Sequence, residues 1–439
     1  MTEHMEPIRV GLLGLGVVGG GTFKVLARNA DEIARRAGRR IVVTKVGERD
    51  VARARARLGH DVAIEADAFA VVRDPEIDIV VELIGGVGVA RDLVLEAIAH
   101  GKHVVTANKA LLAHHGNEIF AAARAQGVMV AFEAAVAGGV PIIKAIREGL
   151  TANHIEWVAG IINGTTNYIL SEMRSRGLPF ADVLAEAQRL GYAEADPTFD
   201  IEGVDAAHKL TLLAAMAFGI PVQFSRAHIE GITGLSGADI RHAETLGYRI
   251  KLLGITRRRA DGIELRVHPT LVPADRLIAN VEGAMNAVMV YGDAVGPTLY
   301  YGQGAGEEPT ASAVVADLVD VTRLHTADPN HRVPHLAFQP DAMADLPILD
   351  IGDVRSSYYL RVQVADQPGV MADIARILAD NGISIHAMIQ SPEAGDDAAD
   401  IIFLTHEAIE RNVDTAIEQM QQLDTVRSNV VRLRMEHLA

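Results

Sequence analysis

The feature that most constrains this chain is a glycine loop near its start, Gly14-Leu15-Gly16-Val17-Val18-Gly19, placed directly after the apolar run Ile8–Leu13. A G-x-G-x-x-G that closes a strand and opens a helix has a specific use. Gly14 permits a tight turn, Gly16 lets backbone approach a pyrophosphate, and Gly19 allows close packing of helix on strand. The helix start offers free N–H groups and the positive end of its dipole to phosphate oxygens. Gly14, Gly16, Val17, Val18 and Gly19 are therefore expected to bind a dinucleotide. After the second strand come Glu48 and Arg49. A carboxylate here accepts from a ribose 2′-hydroxyl and favours NAD, whereas an arginine pairs with a 2′-phosphate and favours NADP. Arg49 tips the expectation to NADP, with NAD as the alternative.

The pattern around the loop sets the architecture. Strands are expected at Ile8–Leu13, 41–46, 77–84 and His103–Thr106, with a helix to about Arg28 and helical periodicity over 91–100 and 117–126. Apolar strands alternating with helices imply a parallel sheet covered on both faces. Beyond about residue 134 the pattern changes to α+β. Helices are expected over 141–150, 167–177, 180–191 and 201–218, and strands over 263–271 and 287–291. Residues 301–306 are glycine-rich and lead into a helix over 309–323. A proline-containing stretch, 328–347, reads as a linker. From about Tyr358 the order is βαββαβ, the ferredoxin-like plan. The expected fold class is α/β, with a Rossmann-type domain over 1–135 completed by about 302–330. An α+β domain over 136–301, a linker over 331–356 and a ferredoxin-like domain over 357–439 follow.

Composition excludes several classes. The 439 residues carry 41 Lys and Arg against 57 Asp and Glu, a net charge of −16, which opposes non-specific binding to nucleic acid. There is no cysteine, so disulfides, thiolate nucleophiles and cysteine-based zinc sites are excluded. The N-terminal MTEHMEPIRV has no basic stretch followed by an apolar run, and no window reaches 18 uninterrupted apolar residues. A cytoplasmic protein without a membrane span is expected.

A nicotinamide enzyme acting on an alcohol needs a group to move the hydroxyl proton. Lys109 follows Thr106-Ala107-Asn108 just past a strand end. In an open parallel sheet, that is where ligands lie. A second cluster runs Tyr192-Ala193-Glu194-Ala195-Asp196-Pro197, then Asp200, Asp205 and Lys209. Asp205 and Lys209 are four apart and share one helix face. Exposed, they form an ordinary ion pair; buried, they orient a lysine and tune its proton affinity. Sequence leaves both readings open. Glu194 and Asp200 are carboxylates able to hold an ammonium group.

The segments GLLGLGVVGGGT, VELIGG, TANKALLA, FEAAVAGGVPII, GIINGTTNYIL, LGYAEADPTFDIEGVDAAHKL and YYGQGAGEEPTASAVVADL stand in this order over roughly residues 8 to 325. In that order they resemble the homoserine dehydrogenases. The resemblance implies NAD(P)-dependent interconversion of L-homoserine and L-aspartate 4-semialdehyde, in the biosynthesis of threonine, methionine and isoleucine. It assigns proton transfer to Lys209, with Lys109 near both nicotinamide and substrate and Asp205 beside Lys209. It assigns the substrate to Glu194, Asp200, Lys209, Gly164, Thr165 and Tyr192. Gly306 and Glu307 lie in the segment that returns to the cofactor, which Lys109 also approaches. Glu133, with carbonyls around Val136, Gly138 and Val140, matches a site for Na+ or another monovalent cation. The α+β domain is implied to dimerise, giving a homodimer or homotetramer. The tail, with Val364–Val370 and Asn381-Gly382-Ile383, resembles an ACT domain, for which L-threonine is the expected effector. Removing residues from about 355 onward is then expected to preserve the chemistry. A catalytically silent sensor of nicotinamide and amino acids is the rival reading. It has no need of Lys109, Glu194, Asp205 and Lys209 together. An aspartate dehydrogenase would lack the GYAEADP block.

Overall fold

The computed structural model describes residues 6–60, 62–392 and 398–438. The first five residues of the N-terminal stretch read above lie outside them. Two compact units are present. The first comprises residues 1–164, 205–226 and 284–346, and the second residues 165–204, 227–283 and 347–439.

The first unit is built on a six-stranded sheet of β1 (Ile8–Leu13), β2 (Ile41–Gly47), β3 (Ala63–Glu65), β4 (Ile79–Glu82), β5 (His103–Thr106) and β6 (Val130–Ala131). All pairings are parallel, in the order β3-β2-β1-β4-β5-β6. The order reverses beside β1, and the glycine loop leaves β1 there. Ligands of such sheets bind at this switch point. Val10, Leu12 and Val81 are buried with Val314 and Leu318 of the helix Glu307–Leu324, which packs on the sheet. The unit also contains an antiparallel trio, Ile155–Ile161, Met285–Gly292 and Gly296–Gln303.

In the second unit, strands Tyr248–Arg258 and Ile263–Pro273 form a long antiparallel hairpin. The C-terminal region follows the βαββαβ order, with strands Arg355–Ala365, Ile385–Pro392, Ala398–Thr405 and Val431–Met435 and helices Val370–Asp380 and Glu410–Gln421. Its last strand pairs on one side with Arg355–Ala365 and on the other, in parallel, with Ile263–Pro273. Tyr358, Leu360, Val362, Ile374 and Phe403 form its core.

Several expectations are corrected. The helix expected over 201–218 is two pieces, Thr198–Ile201 and Val204–Phe218. Gly203 adopts φ +82° between them, which breaks a right-handed helix. The helix placed at 117–126 starts at Lys109, because the Asn108 side chain accepts from the Leu111 N–H at 3.0 Å and caps it. Residues 142–144 form one helical turn, then Leu150 N–H bonds to Ala145 O five residues back in a wider turn. The glycine-rich 301–306 remains strand as far as Gln303.

The strand Tyr248–Arg258 is not among the expected elements, because Lys251 interrupts its apolar run; that lysine is in fact buried and bonded to Val281 O at 2.6 Å. Ala408–Ile409 is a short strand before the last helix. The tail is also not freely removable. Arg266 on the hairpin is buried and bonds Glu436 as well as Glu264. Truncation at 355 would strip that partner and expose the edge of strand Ile263–Pro273.

Candidate functional site

The glycine loop has the geometry its sequence requires. Gly14 sits at φ +87°, and a Cβ on Gly19 would lie 2.1 Å from Gly14 O. Above Gly16 a Cβ would meet nothing within 4 Å, leaving backbone open to a ligand. The helix Val17–Arg28 begins there with no side chain capping it, so its first N–H groups face the cleft as an anion site does. Val17 itself is 69% exposed. A cavity of about 560 Å³ is lined by Gly14, Gly16, Glu48, Arg49, Asp67, Leu83 and Ile84. These residues fit the adenosine and pyrophosphate portions of a dinucleotide.

The loop is held from both sides. The Leu15 N–H donates to Glu48 Oε2 at 2.9 Å, and Arg57 Nη1 donates to Leu15 O at 2.9 Å. Glu48, read from sequence as a ribose acceptor, is thus also a brace of the loop. Arg49 is exposed at the cleft. Gly306, at φ +136°, precedes the helix that starts at Glu307, and Glu307 lies against Gly21 and faces Lys24 at 3.9 Å. Val18 packs against the core below the loop.

The second feature is a buried charge centre. Asp205 and Lys209 lie one turn apart on the helix Val204–Phe218, which is buried nearly all round. Lys209 Nζ donates to Asp205 Oδ2 at 2.6 Å and to Ile162 O at 2.7 Å. Lys109, from the helix after β5, places its Nζ 3.1 Å from Asp205 Oδ1. Asn163 Nδ2 donates to Asp205 Oδ2 at 2.8 Å. The buried reading of the Asp205–Lys209 pair is the one observed. Burial alone would push the Asp205 carboxyl up, but the charges of Lys209 and Lys109 and the hydrogen bonds from Lys209 and Asn163 outweigh it. The carboxyl is held well below the usual carboxylate range. Two ammonium groups therefore share one anion. Lys209 is the more enclosed, with 11% of its side chain exposed against 35% for Lys109.

The third feature, in the second unit, gathers Thr165, Tyr192 and Asp200. Thr165 Oγ1 lies 2.7 Å from Tyr192 O and 3.2 Å from Asp200 Oδ2. Tyr192 packs against Tyr168, ring centroids 4.7 Å apart. Glu194 is exposed on the same loop. Gly164 opens the helix that bears Thr165, and a Cβ there would lie 2.7 Å from Ala284 O.

Glu133 opens the short turn Glu133–Ala135, and Val136, Gly138 and Val140 follow it in the first unit. The buried Glu133 carboxylate accepts from Ile143 N–H at 2.9 Å and Lys144 N–H at 2.8 Å. Burial raises its pKa despite those bonds. Carboxylate and carbonyl oxygens are donors that a monovalent cation accepts. Among the described residues, no group of three or more His, Asp or Glu side chains has the arrangement of a metal centre.

Sequence reasoning missed three supports. Asn163 fixes Asp205, and its signal was its place directly before Gly164-Thr165. Glu82, fully buried, accepts from Thr106 Oγ1 at 2.7 Å and from the Ile84 and Gly85 N–H groups. It thereby shapes the loop beyond β4. Asn108 joins that loop to the Lys109 helix through Gly86 O at 2.7 Å.

Comparison with known proteins agrees with this geometry. Residues 14–133 match the family model "Homoserine dehydrogenase, NAD binding domain", residues 141–319 match "Homoserine dehydrogenase", and residues 358–425 match "ACT domain". A homoserine dehydrogenase of Pseudomonas aeruginosa is 63% identical over 99% of this chain and all of its own length. That of Neisseria gonorrhoeae is 56% identical over 99% of this chain and all of its own length. The crystal structure of a homoserine dehydrogenase from Thiobacillus denitrificans superposes with a TM-score of 0.95 at 68% identity, covering 99% of both chains. None of these relatives supports the silent-sensor reading. On these grounds the chain belongs to the homoserine dehydrogenase family, a family of nicotinamide-dependent oxidoreductases.

Proposed function

We propose that the Lys109–Asp205–Lys209 centre moves the proton in the interconversion of L-homoserine and L-aspartate 4-semialdehyde. The observation that carries this reading is the approach of two ammonium groups to the two oxygens of one buried carboxylate. In the direction of reduction, a nicotinamide cofactor held at the glycine loop of Gly14, Gly16 and Gly19 would supply the hydride for the aldehyde carbon. The carbonyl oxygen then needs a proton, and Lys209 donates it. Asp205 and Ile162 O hold the Lys209 ammonium in one orientation, so little reorganisation accompanies transfer. Lys109, more exposed and on the opposite oxygen of Asp205, supports the developing negative charge. In the oxidative direction the same lysine, Lys209, receives the hydroxyl proton.

Homoserine also carries an ammonium and a carboxylate. Glu194 and Asp200 receive the ammonium. Thr165 orients Asp200, and Gly164 and Tyr192 are further proposed substrate ligands. Gly14, Gly16, Val17, Val18 and Gly19 hold the pyrophosphate of the cofactor, with Gly306 and Glu307 beside the loop. Arg49, exposed in the adenosine cleft, favours NADP, with NAD as the second choice. Glu133 and the carbonyls of Val136, Gly138 and Val140 would hold Na+ or another monovalent cation. L-Threonine is the proposed effector of the ACT domain, in a cytoplasmic homodimer or homotetramer. Among the described residues, no helix is long and apolar enough to cross a membrane.

The test is steady-state reduction of NADP and NAD by homoserine, with and without threonine and with sodium replaced by a bulky organic cation. Formation of NADPH or NADH supports the reading, and the absence of both overturns it.

A further inference from the structure

Within the second unit, residues 230–239 run between two ionic anchors, one half-buried and one fully buried, whose cations come from the ACT module. At one end is Glu230. Arg434, on the last strand and 1% exposed, donates to Glu230 Oε2 at 2.8 Å and to Oε1 at 2.9 Å. The same guanidinium donates to Glu410 Oε2 at 2.8 Å, and Tyr358 Oη donates to that carboxylate at 2.9 Å. His228 and Arg432 also reach Glu230, at 2.8 and 3.3 Å. At the other end is Asp239, fully buried, which accepts from Arg361 Nε at 2.7 Å and Tyr359 Oη at 3.1 Å.

Between the anchors the chain touches one thing of functional interest, the turn 200–203. Ile232 N–H donates to Ile201 O at 2.8 Å, and Thr233 Oγ1 donates to Glu202 Oε1 at 3.1 Å. Contact is close at Gly231, where a Cβ would fall 2.5 Å from Ile201 O and 2.6 Å from Glu202 Cα. A Cβ on Gly203 would in turn lie 3.4 Å from Glu230 O. The turn's own backbone bonds all run to its immediate neighbours: Asp200 and Ile201 N–H to Pro197 O at 2.9 and 3.0 Å, Glu202 N–H to Thr198 O at 3.0 Å and Gly203 N–H to Asp200 O at 3.0 Å.

We propose that residues 230–239 are a strap by which the ACT module fixes the turn bearing Asp200, with Glu230 and Arg434 as positioning residues for that carboxylate. The inference rests on the reading of Asp200 as a substrate-ammonium ligand. The physical ground is the anchors. Buried ion clusters contribute little net stability compared with apolar packing, but they fix geometry, because any displacement leaves a charge unpaired. Arg434 binds two carboxylates from different elements, so a shift of helix Glu410–Gln421 or of the last strand is felt at Glu230. From Glu230 to Ile201 the connection is two peptide units and one hydrogen bond.

The experiment uses the full-length enzyme with its nicotinamide cofactor. Glu230→Gln keeps the side-chain shape but removes the charge. It is expected to speed amide hydrogen exchange in peptides spanning 198–204 by about 5-fold or more, and to raise the homoserine KM by a similar factor. kcat and the cofactor KM should stay within about 2-fold, which general loosening of the fold would not respect. Arg434→Lys, which keeps a cation without the fork, should show a weaker form of the same signature.

If Glu230→Gln does not fold, Thr233→Val tests the same contact from an exposed position, with a smaller change of the same sign. Unchanged exchange at 198–204 in the variant that folds overturns the strap. Asp200→Asn separates the two readings. If it leaves the homoserine KM unchanged, the substrate role of Asp200 fails, while faster exchange in Glu230→Gln still supports the strap. If Asp200→Asn raises KM but Glu230→Gln, with faster exchange, does not, the positioning claim fails.

Discussion

The lysine–carboxylate centre and the 192–200 loop are both proposed to bind substrate, yet they are built in opposite ways. Asp205 has 4% of its side chain exposed and carries bonds from Lys209 and Asn163, with Lys109 alongside. Glu194 is exposed, and Tyr192 is 47% exposed. The difference separates two physical tasks. A proton donor must be oriented before the transition state, and burial with fixed partners does that. A carboxylate that captures an ammonium from water gains from staying hydrated and accessible until the ligand arrives, because enclosing it beforehand would leave an unpaired charge.

That contrast breaks first at Lys209. Lys209→Ala is expected to lower kcat by about 10²- to 10⁴-fold, the usual worth of a positioned acid or base. The dissociation constant of the nicotinamide cofactor, followed by its fluorescence, should change little, because the glycine loop is untouched. A kcat near that of the unaltered enzyme would remove the proton-transfer role. Asp205→Asn comes next. It removes the negative charge that two ammonium groups share, so the fold should lose about 3–5 kcal/mol, read as a lower urea midpoint. The kcat profile should also move to lower pH, since an ammonium without its counter-ion gives up its proton more readily. An unmoved profile would mean that Asp205 does not tune the lysine.

Acid tests the buried side of the comparison further. His208, next to Lys209, is buried, and its pKa is lowered to about 4, chiefly by burial and then by His114. Folded, the ring stays neutral, while the unfolded chain takes up a proton below about pH 6.5. Stability is therefore full above that pH and falls as pH drops toward 4, by about 2 kcal/mol at pH 5 for this residue. Asp205, with its lowered pKa, has the same sign in a more acid window: its contribution is full above the ordinary carboxylate pKa and falls progressively as pH drops below it. His208→Asn should flatten the fall in urea midpoint between pH 7.5 and 5. An equal fall in both proteins would show that His208 is not the group responsible.

The same contrast governs what can be read from sequence. The glycine loop and β1 are legible to the residue, because a G-x-G-x-x-G allows one backbone path and an apolar run covered on both faces needs no pairing partner to be recognised. Lys109 and the Asp205–Lys209 pair stand out by type and spacing. Their burial, and their meeting at a single carboxylate, depend on packing between segments about 100 residues apart, which local pattern does not encode. Glu82 and Glu48 brace backbone or other side chains, and a lone polar residue carries no mark of that; Asn163 is marked only by its place before Gly164-Thr165. The strand Tyr248–Arg258 is hidden by a buried lysine, Lys251, whose charge reads as surface until its carbonyl partner is seen.

The mildest test concerns the open side of the comparison. Asp200→Asn and Glu194→Gln each remove one charge without removing a side chain. A charged hydrogen bond to a bound ammonium contributes about 1.5–3 kcal/mol when enclosed and less when hydrated, so each variant should raise the homoserine KM by about 10-fold. The amide that replaces the Asp200 carboxylate can still meet Thr165 Oγ1, and the exposed Glu194 supports no described packing, so the urea midpoint should correspond to a change within about 0.5 kcal/mol. kcat should move less than KM, because the ammonium is remote from the carbon that changes oxidation state and its binding is shared by ground and transition states. A large fall in kcat with KM unaltered would place these carboxylates in the chemistry, and the division between a buried proton-handling centre and an open capture loop would no longer hold.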